Sequence, residues 1–366
     1  MSTLEKRIEV RFPYRSKVAA LTVLTPGWVR VRARLENRSG ASAAGLWVVG
    51  AVVLIGLTAC SSAQEVDPSA QVMELPGAAE EIDFDDVVYS ADLGRVVVPA
   101  RESGVYFLAP DSAEVDRVPY AGSVDSADVG GGLLFVLDRG ASRIDVLDPE
   151  GGQVLSSAAV SAPADYIRYV ASARELWVSE PAREGIEIFA LGEKAQEAPR
   201  RVGFVSVPGG PEGLTLTADG AAAYAHAGAE VVAIDTAQRS LTARWPTGCE
   251  ATHGFPRVDE RDRLLLASCA DQGKVTLLDL EDGRQLGDYE VGGGESLPAY
   301  STDTDHFYVR SDPGTTIATL AASTRGLEVV REVAVPEVGH CLGADGTGHY
   351  WACDAGSGRV LLFNDQ

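Results

Sequence analysis

Asp83, Asp125, Asp165, Glu212, His253, Glu295 and His340 recur at spacings of 42, 40, 47, 41, 42 and 45 residues, and each carries a side chain able to ligate a metal ion. A structural unit of that length, repeated around an axis, would carry all seven into one ring. Neutral imidazoles beside carboxylates in a partly desolvated ring suit Zn²⁺, whereas Ca²⁺ takes oxygen ligands alone. The competing outcome is a merely polar ring without metal, because acidic residues are frequent in this chain, 53 of 366.

The elements that would position these residues are strands. Beyond about residue 72, short apolar or β-branched runs alternate with Gly, Asp and Pro turns, and no helical period of useful length appears. Leu214–Thr236, Arg257–Leu280, Gly346–Asp365 and Arg174–Leu191 each show an apolar strand, a polar turn with Gly and a second apolar strand. Residues 73–366 hold seven such units of about 42 residues, which predicts an all-β, seven-bladed β-propeller; eight blades would need units near 37. The last unit stops at Phe363 with three clear strands, so its outermost strand is expected from Gln71–Pro76, closing the ring and hiding a sheet edge.

Chain direction then sorts the histidines. In a blade the innermost strand starts on one face and the second strand returns to it, so the loops before the first and after the second share that face. His253 and His340 precede innermost strands and His226 ends a second strand, which assigns all three to the face that also gathers Glu212, Glu295, Asp271, Asp312 and Asp354. His306 and His349 follow hairpin turns and belong to the opposite face. The predicted zinc site is His253 and His340, completed by Glu212, Glu295 or Asp271. His226 is the weakest member, since a hydrogen-bonded loop histidine has the same signature. Zinc needs neutral imidazoles, so affinity is expected to fall as pH drops through about 6.

The start of the chain reads as a processing segment. Ala44–Ala59 is an uncharged apolar stretch preceded by Arg30, Arg32, Arg34 and Arg38, and it is too short to span a bilayer comfortably. Its end, Leu57, Thr58, Ala59, Cys60, resembles the lipobox of bacterial lipoproteins, which implies a lipidated Cys60 and anchorage to the outer face of the cell membrane. Residues 1–59 are thus a leader and lipoprotein signal peptide, 60–72 a flexible tether, and 73–366 the propeller. Because residues 1–29 make an unusually long leader, Val29 or Val31 is an alternative expected start. From Cys60 onward the chain has 22 basic and 50 acidic side chains, a formal charge of −28. That balance argues against nucleic acid and against a polybasic membrane surface.

Four cysteines remain: Cys249, Cys269, Cys341 and Cys353. An even count in an exported chain suggests two disulfides, and of the three pairings the local one, Cys249 with Cys269 and Cys341 with Cys353, fits the strand layout. Cysteine as a zinc ligand is the alternative, less suited to an oxidising compartment.

The blades resemble those of seven-bladed propellers of the YVTN or NHL-like type over residues 73–366. Cys249, Glu250, Ala251, Thr252, His253, Gly254, followed by the run from Leu264 through Cys269 to Leu278, resembles more specifically the CxxxHG…C segment of the AztD-type zinc metallochaperones. These are exported propellers understood to pass zinc to the substrate-binding protein of a zinc ABC importer. The resemblance implies a Cys249–Cys269 disulfide, a zinc-site role for His253, zinc as the cargo and that binding protein as partner. His340 follows from the repeat and not from the motif. One departure bears on transfer: the family carries a His-rich mobile segment near its mature N-terminus, and 61–83 contain no histidine, so Glu65, Asp67, Glu80 and Glu81 would have to serve instead.

Two other classes are weighed beside a non-enzymatic zinc carrier: a cell-surface interaction scaffold without metal, and a lactonase-like metal-dependent hydrolase. No HExxH, GxSxG or phosphate-binding glycine loop is present. The run GADGTGH from Gly343 has one Asp where a calcium loop needs several oxygen ligands and reads as a hairpin turn.

Overall fold

The computed structural model describes residues 66–365 and, before them, a two-residue strand pair, Ile8–Glu9 with Ala20–Leu21. The rest of the leader, Cys60 and residues 61–65 lie outside the described residues, and so do the signal-peptide and lipidation expectations placed on them. Ser61–Gln366 forms one compact unit.

Among the described residues, seven four-stranded antiparallel sheets follow one another. Their innermost strands are Val88–Ser90, Ser126–Gly130, Ile167–Val170, Glu212–Leu216, Arg257–Asp259, Glu295–Ser301 and Leu342–Ala344. Six blades are built from consecutive strands. In the seventh, Leu342–Ala344, His349–Asp354 and Arg359–Asn364 are completed by Gln71–Glu74, which pairs antiparallel with the last of them, Val72 opposite Leu361. This is the expected closure, and it removes the edge that the last blade would otherwise expose.

The sequence explains why blades stack. In Arg95–Pro99, Val96 and Val98 pack toward the seventh blade while Val97 packs toward the second. In Leu264–Ser268, Leu264 and Leu266 face the sixth blade and Leu265 and Ala267 the fourth. Successive side chains of a strand point to opposite faces, so a sheet sandwiched between two neighbours needs an uninterrupted apolar run. Each of the seven apolar clusters spans one junction between adjacent blades. The core is therefore a ring of interfaces between blades.

Residues 66–72 depart from the flexible tether read from composition. Asp67 N–H donates to the Ala334 carbonyl at 3.0 Å, Val66 and Ala70 pack on the junction of blades six and seven, and Gln71 already belongs to the closing strand. A polar, aromatic-free stretch has no core of its own, but here it borrows one from the blades it adjoins.

Candidate metal centre

His253 is placed by the loop between the outermost strand of the fourth blade, Ser240–Pro246, and the innermost strand of the fifth. Its N–H donates to the Ser268 carbonyl at 3.2 Å, Thr252 bridges Cys269, and the Cys249–Cys269 disulfide ties the loop to the second strand of the blade. Gly254 follows at φ +64°, a left-handed conformation that glycine adopts without steric cost.

His340 stands on the segment that enters the seventh blade, beside Cys341, which is joined to Cys353 across the hairpin pair with 5.4 Å between Cα atoms. The buried Arg310 donates to the carbonyls of Cys353 and Pro336, both at 3.1 Å, and so braces the two flanks of this segment. At Gly339 a Cβ would come within 2.1 Å of the Cys353 carbonyl, so only glycine lets the segment lie this close. Both disulfides follow the local pairing, which leaves no cysteine thiol among the described residues to ligate metal.

The two imidazoles, 87 residues apart, meet with Nε2 to Nε2 at 3.2 Å. Glu295, the first residue of its innermost strand, places Oε2 3.3 Å from His253 Nε2 and 3.4 Å from His340 Nδ1. His253, Glu295 and His340 each offer a ligand atom, and the three atoms lie within 4.8 Å of one another. A tetrahedron with bonds of about 2.0–2.1 Å has edges of about 3.3–3.4 Å, and two separations come close to that, Nε2 to Nε2 at 3.2 Å and Glu295 Oε2 to His253 Nε2 at 3.3 Å. His340 Nδ1 lies 3.1 Å from Asp312 Oδ2. A carboxylate only accepts, so Nδ1 carries the hydrogen and Nε2 keeps its lone pair for the cluster.

Electrostatics separates the two rings. Burial lowers the His253 pKa, and the neighbouring His340 adds to the effect against the opposing charge of Glu295. Burial acts in the same direction on His340, but the Asp312 hydrogen bond and the charges of Asp85 and Glu295 raise its pKa above the usual value. Metal therefore competes with a proton chiefly at His340.

The remaining expected ligands fall outside this set. Glu212 Oε1 is 3.9 Å from His253 Nδ1, the nitrogen turned away from His340, and burial with repulsion from Asp165 and Asp85 raises its pKa. It is an outer partner. Asp271 is exposed at φ +55° and contributes no atom to the cluster. Asp354 is engaged by Arg359 at 2.8 Å. His226 is fully buried, with Nδ1 2.8 Å from the Gly254 carbonyl and Nε2 accepting from Ser268 N–H at 3.3 Å. Both its nitrogens are spent on the backbone, so it supports the His253 loop and is not a ligand. Its opposite-face counterparts do lie elsewhere: His306 pairs with Asp365 at 2.7 Å and His349 with Asp345 at 3.0 Å.

Burial lowers the His226 pKa to about 4. The unfolded chain binds this proton near 6.5 and the folded chain does not, so its contribution is complete above pH 6.5 and is lost as pH falls toward 4. The loss amounts to about 3 kcal/mol. In His226→Gln, the stability difference between pH 7.5 and 4.5, measured by urea unfolding, is expected to shrink by about 2–3 kcal/mol.

The other half of the ring is an ion-pair lattice that sequence reading missed. Arg101 pairs with Asp83 at 3.1 Å and with Asp125, and Arg139 pairs with Asp85 at 2.7 Å and Asp165 at 2.8 Å. Tyr166 donates to Asp85 at 2.8 Å. Arginine thus occupies the sites that a metal would need at Asp83, Asp125 and Asp165. The missing signal was available: Arg101 and Arg139 both follow second strands, and the chain-direction rule applied to histidines places them on the same face.

No family model matches the chain, and no curated protein does. Among solved structures, a chain in a crystal structure of the mitotic checkpoint complex is 14% identical with a TM-score of 0.67, covering 86% of this chain and 99% of that one. The Cps50 (Swd1) β-propeller domain of Myceliophteria thermophila is 12% identical with a TM-score of 0.65, covering 81% of this chain and 100% of that one. The RRP9 WD40 repeats are 12% identical with a TM-score of 0.66, covering 82% and 99%. At such identities the likeness carries the fold alone: this chain is a seven-bladed β-propeller with a group of metal-capable residues at its axis.

Proposed function

We propose that the protein binds zinc through His253, His340 and Glu295 and passes it, without catalysis, to the substrate-binding protein of a zinc importer. The observation that carries this reading is the convergence of two imidazoles and one carboxylate, with ligand atoms within 4.8 Å of one another and Asp312 holding His340 Nδ1. Three protein ligands leave one position open, the arrangement of exchangeable zinc, whereas structural zinc is closed by four. The side chains of His253, His340 and Glu295 are 21, 23 and 34% exposed, so an incoming ligand from an acceptor can reach the ion. Disulfide-braced loops on both sides keep the imidazoles in place when the ion leaves.

The test is calorimetric titration of the metal-stripped full chain with zinc at pH 7.5, followed by mixing of the loaded protein with a stripped importer binding protein. One zinc per chain and its appearance on the acceptor are expected; absence of uptake overturns the reading, and uptake without transfer removes the carrier role. Asp312→Asn should weaken zinc about 10–100-fold, the usual effect of losing an outer carboxylate on a ligating histidine, with the fold unchanged by circular dichroism. A lactonase-like role would instead show turnover of lactones by the zinc-loaded protein.

A further inference from the structure

The axis contains a second chamber below the metal centre. Tyr166 and Phe255 meet edge to face with ring centroids 4.4 Å apart, and the void beside them is only about 10 Å³, room for one water at most. Beneath this neck, where the innermost strands end on the opposite face, lies a cavity of about 340 Å³. Val87, Leu214, Leu216, Val258 and Ala299 supply apolar walls, and Arg257 projects from the first position of its strand.

Two guanidinium groups flank the neck, with Arg168 4.8 Å and Arg257 5.0 Å from the Phe255 ring. They are not equivalent. Arg168 makes a bidentate pair with the buried Asp86, both contacts at 2.8 Å, which neutralises it. Arg257 donates Nε–H to the Pro298 carbonyl at 2.8 Å, and among the described residues its terminal nitrogens have no hydrogen-bond partner and no carboxylate within ion-pair distance. Burial, and then the like charge of Arg168, lower its pKa to about 10, so it remains a cation at neutral pH. The terminal nitrogens of this half-buried guanidinium, which lacks a direct ion-pair partner, are open to a ligand that brings the opposite charge.

We propose that this lower chamber is a binding site for a small monocarboxylate with an apolar body, its carboxylate held by the terminal nitrogens of Arg257. A guanidinium fork matches a carboxylate in geometry. Arg257 has no carboxylate in direct contact, so its fork has room for one. Asp128 and Asp345 line the same chamber and oppose a dianion such as phosphate, while the apolar walls receive a hydrocarbon body. The site is separate from the zinc cluster, and its test stands apart from that reading.

The metal-free full chain is titrated calorimetrically with hexanoate and benzoate, with hexanamide and benzamide as neutral isosteres, and with inorganic phosphate. The acids are expected to bind at least about tenfold more tightly than their amides, the worth of one charge-assisted pair, and phosphate to bind more weakly than either acid. Arg257→Gln, with its fold checked by circular dichroism, should erase the preference for acid over amide. Absence of acid binding, equal binding of acids and amides, tighter binding of phosphate, or a preference that survives in Arg257→Gln overturns the proposal. If Arg257→Gln does not fold, the comparison of acids with amides on the unaltered chain decides by itself.

Discussion

Replacing His253 or His340 with alanine is expected to abolish measurable zinc uptake, whereas His306→Ala and His349→Ala leave it unchanged. Each of the first two removes one of three ligands and leaves an ion with two protein bonds in a funnel open to water. The loss should exceed the roughly 100-fold that removal of an outer partner can cause. The controls are stringent because His306 and His349 are also half-buried and also paired with carboxylates, Asp365 and Asp345, yet they stand at the opposite ends of their hairpins. A carboxylate-paired histidine is therefore not enough; two imidazoles facing one carboxylate are required. Calorimetry on the four variants separates zinc bound at the axis from zinc adsorbed on an acidic surface, which all four would retain equally.

Loss of the Cys341–Cys353 disulfide should affect both stability and the metal centre. Closing a loop of this length stabilises by about 3 kcal/mol in the chain-entropy model, a large fraction of a domain's net stability. Cys341→Ala/Cys353→Ala is therefore expected to lose about 3 kcal/mol in urea unfolding. The same change loosens the segment that carries His340, which keeps Arg310, Asp312 and the backbone bonds to the Glu337 and Val338 carbonyls, so zinc affinity should fall as well. A variant that loses stability but keeps full zinc affinity would show that the bond serves the seventh blade alone.

Much of the fold was legible in the sequence because a propeller repeats one physical solution. Runs such as Arg95–Pro99 and Leu264–Ser268 are apolar on both faces, and that pattern needs a sheet flanked by two others. The ring closure was legible from arithmetic, since a seventh unit with three strands needs Gln71–Glu74. The site was legible where chain direction decides the face, hence His253, His340 and Glu295, and the sorting of His306 and His349 away from them. It was illegible where the outcome depends on a partner. Nothing local distinguishes Asp165, which meets Arg139, from Glu295, which meets two imidazoles. His226 shares the face but not the solvent, because its strand position places the ring beneath the His253 loop and both nitrogens find backbone groups there. The apolar segment before Cys60 lies outside the described residues, and its role as a lipoprotein signal stays an expectation from sequence.

The most direct measurement is zinc-edge X-ray absorption on the protein loaded with one equivalent of zinc, compared with Glu295→Gln. The account predicts a four-coordinate first shell of nitrogen and oxygen at about 2.0–2.1 Å, with scattering from two imidazoles and no sulphur, altered in the variant. A shell of oxygen alone, a single imidazole, or any zinc–sulphur distance near 2.3 Å would contradict it.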